Sequence, residues 1–211
     1  MTMRSVLILA PHTDDAELGC GGCMARLLSE GAALHVAVFS TAEESLPEGA
    51  PPGTLKNEFY QAMEVMGIGR DRLFVHDYPV RRLSYHRQEV LESLVEVKGR
   101  VRPDAVLLPS RTDLHQDHQV VATEGLRAFK ELTVWGYELP WNHVEFSANA
   151  FVVLKEEHLR KKWEALQAYR TQLDLARPYF SWEFISGLAV VRGAQVKAPF
   201  AEAFEVIRVR V

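Results

Sequence analysis

Cysteine, long apolar runs and any excess of positive charge are all scarce in this sequence of 211 residues. The two cysteines, Cys20 and Cys23, are too few and too close together to staple a secreted fold. No apolar stretch approaches the roughly twenty residues that span a bilayer, so no integral membrane segment is expected. Lysine and arginine total 24 against 28 aspartates and glutamates, a formal net charge of -4. A nucleic-acid binder usually leaves a strongly basic footprint, and none is present. Repeats and low-complexity tracts are also missing, which argues against a solenoid or a disordered chain. At the amino terminus a short apolar run meets charge at once, with no small-residue cleavage site. It reads as a core strand rather than a signal peptide, and cytoplasmic residence is the expectation.

What is present is ordinary globular composition, 47% apolar and 25% charged, in a chain of the right length for a single domain over residues 1–211. Short apolar runs alternate with amphipathic stretches. Strands are expected at Ser5 to Ala10, Leu34 to Phe39, Leu73 to Val75, Ala105 to Leu108 and Thr133 to Tyr137. Helices are expected at about Leu18 to Glu30 with Gly31 as C-cap, Leu55 to Met66, Arg87 to Val101 and Asp117 to Lys130. The segment from Thr41 to Gly53, rich in proline, glycine and glutamate, reads as a long loop. Strands separated by helices of this length call for an α/β fold: a Rossmann-like, doubly wound, mostly parallel sheet with helices on both faces. Past Pro140 the pattern is less regular, with a strand at Ala150 to Leu154, helices at Glu156 to Tyr169 and Trp182 to Val191, and a last strand at Phe204 to Val209.

Ligands in such sheets bind beyond the carboxyl ends of the strands. The first strand delivers His12, Asp14 and Asp15 to that edge, with Glu17 entering the following helix. Two carboxylates and an imidazole within four residues repel unless a cation or proton relieves them, and imidazole with carboxylate is a usual zinc ligand set. The plainer alternative is that these acids cap the helix. The fourth strand feeds His115, Asp117 and His118 to the same edge. First and fourth strands commonly flank the switch point of a doubly wound sheet, so the two clusters are expected to meet. One of the two later histidines then completes a site of two His and one Asp with an open position, and Asp117 accepts a hydrogen bond from the other, favouring its cationic form. A polar loop with a helix cap is the plainer alternative here.

Arg81, Arg82 and Arg111 are loop arginines that can grip a hydroxyl, carboxylate or phosphate, or can simply be solvated. Tyr78, Trp141, Asn142 and His143 come from loops on the same edge, where aromatic rings can stack on sugar faces. Of these, Arg81, Arg111, Tyr78 and Trp141 are taken as the substrate-binding candidates. His35, His76, His86 and His158 lack a spaced partner and read as structural.

The run Pro11-His12-Thr13-Asp14-Asp15-Ala16-Glu17-Leu18-Gly19-Cys20-Gly21-Gly22 fits P-H-x-D-D-x-E-x-G-x-G-G, and His115 to His118 fits H-x-D-H. On these motifs the sequence resembles the PIG-L/LmbE-like deacetylases. Fainter likenesses lie in Glu58 to Gly67, in Tyr169 to Gln172 and near Arg192 and Ala201 to Phe204, so the resemblance covers nearly the whole chain. It implies a hydrolase that removes an acetyl group from an N-acetylated sugar, a small-molecule substrate of the N-acetylglucosamine type. It also implies that His12, Asp15 and His118 hold Zn2+, or Fe2+ or another divalent ion. Asp14 would be the general base, and His115, held by Asp117, would stabilise the oxyanion and protonate the leaving amine. The sequence departs from the family pattern at Tyr169, Thr171 and Lys56, where histidine, serine and arginine are commoner.

Three rival readings stand beside this one. Cys20-Gly-Gly-Cys23 has the spacing of a thiol–disulfide oxidoreductase, although the pair falls inside the expected helix. The glycines at 19, 21 and 22 suggest a nucleotide-binding turn, but G-x-G-x-x-G fails at Met24. The same metal site can also serve another amide, such as a thiol conjugate. Small α/β enzymes are commonly symmetric, so a homo-oligomer is expected.

Overall fold

The computed structural model describes residues 3–210. The first strand, β1 (Ser5–Ala10), is buried on both faces after Ser5. Val6, Ile8 and Ala10 enter one core and Leu7 and Leu9 the other, as the two-residue period of a strand requires. It pairs in parallel with β2 (Ala33–Val38) on one side and β4 (Ala105–Pro109) on the other. Outside these lie β3 (Leu73–Val75) and β5 (Thr133–Tyr137), also parallel. The chain therefore winds outward from β1 in both directions, and the switch point falls between β1 and β4, as expected. Two antiparallel strands finish the sheet, β6 (Ala150–Leu154) and β7 (Phe200–Arg208), in the order β3-β2-β1-β4-β5-β7-β6.

Helices α1 (Asp15–Ser29), α2 (Thr54–Met66), α5 (Glu156–Leu166) and α7 (Trp182–Ala194) cover one face. Helices α3 (Arg87–Val101) and α4 (Gln116–Ala128) cover the other. Among the described residues no helix is long and apolar enough to cross a membrane. The expected helix ending at Tyr169 stops instead at Leu166 and is followed by a short one, α6 (Arg170–Asp174). The break has a cause. The Glu58 carboxylate caps the new helix, accepting from the backbone N–H and hydroxyl of Thr171 at 2.9 and 2.6 Å. Strand β7 begins at Phe200, four residues before its expected start.

Helix α1 starts three residues earlier than its apolar pattern suggests, and it is bent at Cys20 (φ -145°, ψ 21°). A buried pair braces the bend. The Lys162 ammonium donates to the Leu18 carbonyl at 2.8 Å and to Glu202 at 2.7 Å. The two oxygens of Glu202 in turn accept the backbone N–H groups of Gly22 and Cys23 at 2.9 and 2.6 Å. Backbone groups exposed by the bend are thus satisfied at a site where water cannot reach them. The glycines follow from this crowding. A Cβ on Gly19 would stand 2.3 Å from the Tyr137 ring, and one on Gly22 would stand 2.5 Å from Leu154. Removing one partner of a buried ion pair leaves the other uncompensated, typically costing about 3–5 kcal/mol. Lys162→Met is expected to lower the unfolding free energy by about 3 kcal/mol, read from denaturant titration. A loss below about 1 kcal/mol would show the brace to be dispensable.

Candidate active site

Strand pairing between β1 and β4 runs from Val6–Ala105 to Ile8–Leu107 and goes no further. Beyond it the Tyr137 hydroxyl donates to the Leu9 carbonyl at 2.9 Å. The segments that leave these two strands carry both histidine–aspartate clusters, and the structure brings them together. The Asp15 Oδ2 atom, in the first turn of α1, accepts from the His12 backbone N–H at 2.8 Å. It lies 3.1 Å from His12 Nδ1 and 3.2 Å from His118 Nε2, and those two nitrogens are 3.3 Å apart. Ligands at ~2.0–2.1 Å from one tetrahedral ion are separated by about 3.3 Å, so this triangle has the dimensions of a metal-ligand face. The second ring nitrogen of each histidine is held by a carboxylate. His12 Nε2 faces Asp117 at 3.0 Å and His118 Nδ1 faces Asp113 at 2.7 Å. Such outer partners fix the tautomer and aim the free nitrogen at the metal.

His115 stands beside them, its ring centroid 4.4 Å from that of His118. His12, His115 and His118 each offer a ring nitrogen within 4.8 Å of the others, a group that can hold a metal ion. His115 is the N-cap of α4, and its Nδ1 accepts the Asp117 backbone N–H at 3.2 Å. That bond fixes the tautomer with hydrogen on Nε2. Here the sequence-based expectation needs correction. The Asp117 carboxylate does not hold His115, because its oxygens are engaged by His12, by the Arg81 N–H at 2.5 Å and by the Leu83 N–H at 3.2 Å. Nor is His115 held cationic. Burial and the neighbouring His118 and His12 push its pKa down to about 4.

Burial alone would discharge His12 and His118, but Asp15 and the partner carboxylates outweigh it, raising them to about 9 and about 10. Asp15 lies well below the usual carboxylate range; burial opposes this, and the two imidazoles prevail. Asp14 behaves differently. Burial first, then Asp15, raises its carboxyl to about 6. It sits at the N-cap of α1 yet makes no side-chain cap bond, so the helix-cap alternative fails for it. Glu17 is fully buried, and burial raises it to about 8. The Tyr169 hydroxyl lies 2.6 Å from both the Thr13 carbonyl and Glu17, and one hydrogen cannot serve both. A protonated Glu17 supplies the second. The Tyr169 departure is thus a structural anchor for the turn that carries His12 to Asp15, and Glu17 is neutral.

A cavity of about 290 Å³ opens over this centre, with His12, Asp14, Asp15, His115 and His118 in its wall. Arg81 and Trp141 line it. Arg111 and Tyr78 do not. Arg111 pairs with Glu205, its Nε and Nη2 both donating to Oε1 at 2.8 and 2.6 Å, and Tyr78 packs into the core on the α3 side, its hydroxyl 2.9 Å from that of Ser93. Sequence reasoning gave no role to Asp113, Gln172, Arg177 or Tyr179, although the last three line the cavity. For Asp113 the signal was its position two residues before His115, and for Gln172 the faint likeness of Tyr169 to Gln172; for Arg177 and Tyr179, in the irregular region past Pro140, no spacing stood out. Cys20 and Cys23 are buried free thiols whose pKa values burial pushes up, so the redox reading fails.

The family profile described as PIG-L, GlcNAc-PI de-N-acetylase, matches residues 7–129, more than half of the chain. The chain belongs to the PIG-L family. The matched segment holds both clusters. Escherichia coli K12 YaiS, named as an uncharacterized deacetylase, is 25% identical over 177 residues, covering 80% of this chain and 91% of that protein. The 4-oxalmesaconate hydratase of Pseudomonas putida KT2440 is 24% identical, covering 92% of this chain and 81% of the other. The N,N'-diacetylchitobiose deacetylase of Pyrococcus horikoshii superposes with a TM-score of 0.80 at 19% identity, over 97% of this chain and 84% of that one. At that identity the likeness is one of fold.

The raised proton affinity of His12 and His118 has a measurable consequence. A histidine must be neutral to ligate, so metal competes with protons. Zinc affinity is expected to rise between pH 6 and 8, with release of about two protons per ion at pH 7, read by calorimetry in buffers of different ionisation enthalpy. Affinity that is flat with pH, with no proton release, would exclude these imidazoles as ligands.

Proposed function

We propose that this chain is a metal-dependent N-deacetylase that hydrolyses the acetamide of an N-acetylglucosamine-type sugar, yielding acetate and the free amine. The observation that carries the reading is the Asp14 carboxylate. It lines the cavity with no hydrogen bond to another residue among the described residues, next to a triangle of donors with metal-ligand dimensions. In our reading His12, Asp15 and His118 are the ligands and His115 is not, since it lacks a carboxylate behind its ring. A divalent cation held there, zinc in this reading, supplies Lewis acidity toward the amide carbonyl and lowers the pKa of water from ~16 to about 7.

The protein side chains do the remaining work. Asp14 takes a proton from water as the oxygen attacks the carbonyl carbon, a step generally worth roughly two to four powers of ten. His115, neutral with hydrogen on Nε2, donates to the developing oxyanion, where one such donor contributes ~3 kcal/mol. Collapse breaks the C–N bond, and Asp14 returns its proton to the leaving nitrogen. An acid raised to about 6 is suited to both transfers. Trp141, stacked on Tyr179 at 3.9 Å between centroids, gives the sugar a flat aromatic wall.

Asp14→Asn is expected to retain metal, measured by elemental analysis, while amine release from N-acetylglucosamine derivatives drops by at least about a hundredfold. Loss of the metal in that variant would mean that Asp14 is a ligand rather than the base. The hydratase relative sets the competing outcome. Hydration of an unsaturated carboxylic acid by the wild type, with no amine released from any N-acetyl sugar, would overturn the deacetylase reading.

A further inference from the structure

Two of the four tryptophans have no part in the active-site cavity. Trp163, on α5, and Trp182, at the start of α7, are half-buried and pack against the core. They also line a second opening of about 350 Å³, together with Arg160, Glu164 and Gln167. The ring centroids are 6.4 Å apart and the planes meet at 57°, so the two indoles form a corner rather than a stack. Residues 160, 163, 164 and 167 share one face of α5 by helical spacing, and the three polar ones are exposed. Trp163 therefore presents an aromatic surface in the middle of a polar face.

The polar groups decide what this opening can hold. Arg160 pairs with Glu156 at 2.9 and 2.5 Å, and Glu164 pairs with Lys161 at 3.6 Å, so each charge already has its counter-charge. The Gln167 amide is exposed, and neither it nor the two indole N–H groups donates to an acceptor among the described residues. What remains is a pair of flat apolar surfaces edged by neutral donors and an amide acceptor. A pyranose ring matches this, with C–H groups on its face and hydroxyls around its rim. An ion would find no free counter-charge, and a wholly apolar ligand would leave the amide and indole groups unanswered. The volume lies within the range of small-ligand sites, about 300–1,000 Å³. Tyr179 lines the active-site cavity and Trp182, three residues later, lines this opening, so their Cα atoms are at most about 11 Å apart.

From this geometry we propose that Trp163 and Trp182 form a second saccharide site, which binds a neutral pyranose outside the reacting centre. The sugar is either a further residue of the substrate's own glycan, reaching past the start of α7, or an independent saccharide. The proposal stands on the aromatic corner and its polar edge, and does not require the deacetylase reading.

The test follows the four indole N–H resonances of nitrogen-15-labelled protein, assigned by single phenylalanine substitutions, during titration with cellotetraose. That ligand has pyranose rings and no acetamide, so its binding is read whether or not the chain releases amines. The Trp163 and Trp182 signals are expected to shift together and saturably, with Trp135 unmoved. Trp163→Ala should weaken binding at least about tenfold, read from the Trp182 signal, and Gln167→Ala about threefold. Trp163→Tyr, which keeps a ring against the core, should bind with intermediate affinity. Tetra-N-acetylchitotetraose with zinc-loaded Asp14→Asn protein separates the two sources. A midpoint shared by Trp141, Trp163 and Trp182 would assign the site to the substrate's own glycan, and separate midpoints would assign it to an independent saccharide. No shift at Trp163 or Trp182 up to the solubility limit of either ligand would overturn the proposal, as would an affinity that survives both Trp163→Ala and Gln167→Ala. Shifts produced by raising protein concentration alone would also overturn it, since the opening would then belong to a contact with a second copy of the chain.

Discussion

The parallel pairing of β1 with β4, and its end at Ile8–Leu107, is the constraint on which the site depends. Strands that stayed paired to their tips would seal the sheet edge with backbone hydrogen bonds. Here the strands stop pairing early, and the two departing segments face each other across the gap. His12 and Asp15 reach it from one side and His118 from the other, with separations of 3.1 to 3.3 Å. The adjacency is topological, since it requires the chain to wind outward from β1 through β2 and β3 before β4 returns to pair with β1 on its other side. Neither cluster alone assembles the triangle.

Burying so much charge is costly, and the fold offsets that cost locally. Asp15 is stabilised by two imidazoles, and each imidazole by a further carboxylate, Asp117 or Asp113, so no charge in the inner group lacks a neighbour of opposite sign. Glu17, which has no such neighbour, takes a proton instead and bonds Tyr169. The same economy explains the bend of α1. The helix turns at Cys20 to fit under Tyr137 and over Lys162, and the Lys162–Glu202 pair satisfies the backbone groups that the turn releases. Glycine at 19, 21 and 22 is then a steric requirement of close packing, not a phosphate cradle.

The central strands of the parallel half, β1 and β4, were legible because they are buried on both faces and read as unbroken apolar runs, Val-Leu-Ile-Leu in β1 being the clearest. The metal-ligand candidates were legible because their spacing is local: each cluster lies within a few residues of a strand end. What failed was contact between segments far apart in sequence. Nothing in the spacing of His115, Asp117 and His118 tells that Asp117 reaches back 105 residues to His12 rather than across to His115. Arg111 was misjudged for the same reason, since its partner Glu205 lies 94 residues away on β7. The α5–α6 break was hidden likewise, being set by Glu58, 113 residues before Thr171.

This division has a functional meaning. The histidine–aspartate clusters sit at strand ends and helix N-termini, rigid positions that a short motif can specify. The cavity walls come from the turn at Arg81 and from the irregular stretch holding Trp141, Gln172, Arg177 and Tyr179, where strained backbone and long-range contacts decide the shape. A hydratase and a deacetylase both have chains that match this one over most of its length. A fold that occurs under both names does not itself decide the chemistry, which is left to the residues that line the site. Asp117 sits at the join. Its carboxylate touches both His12 and the Arg81 turn, so a change in the wall at that point would be felt at the centre, and the two regions are not independent there.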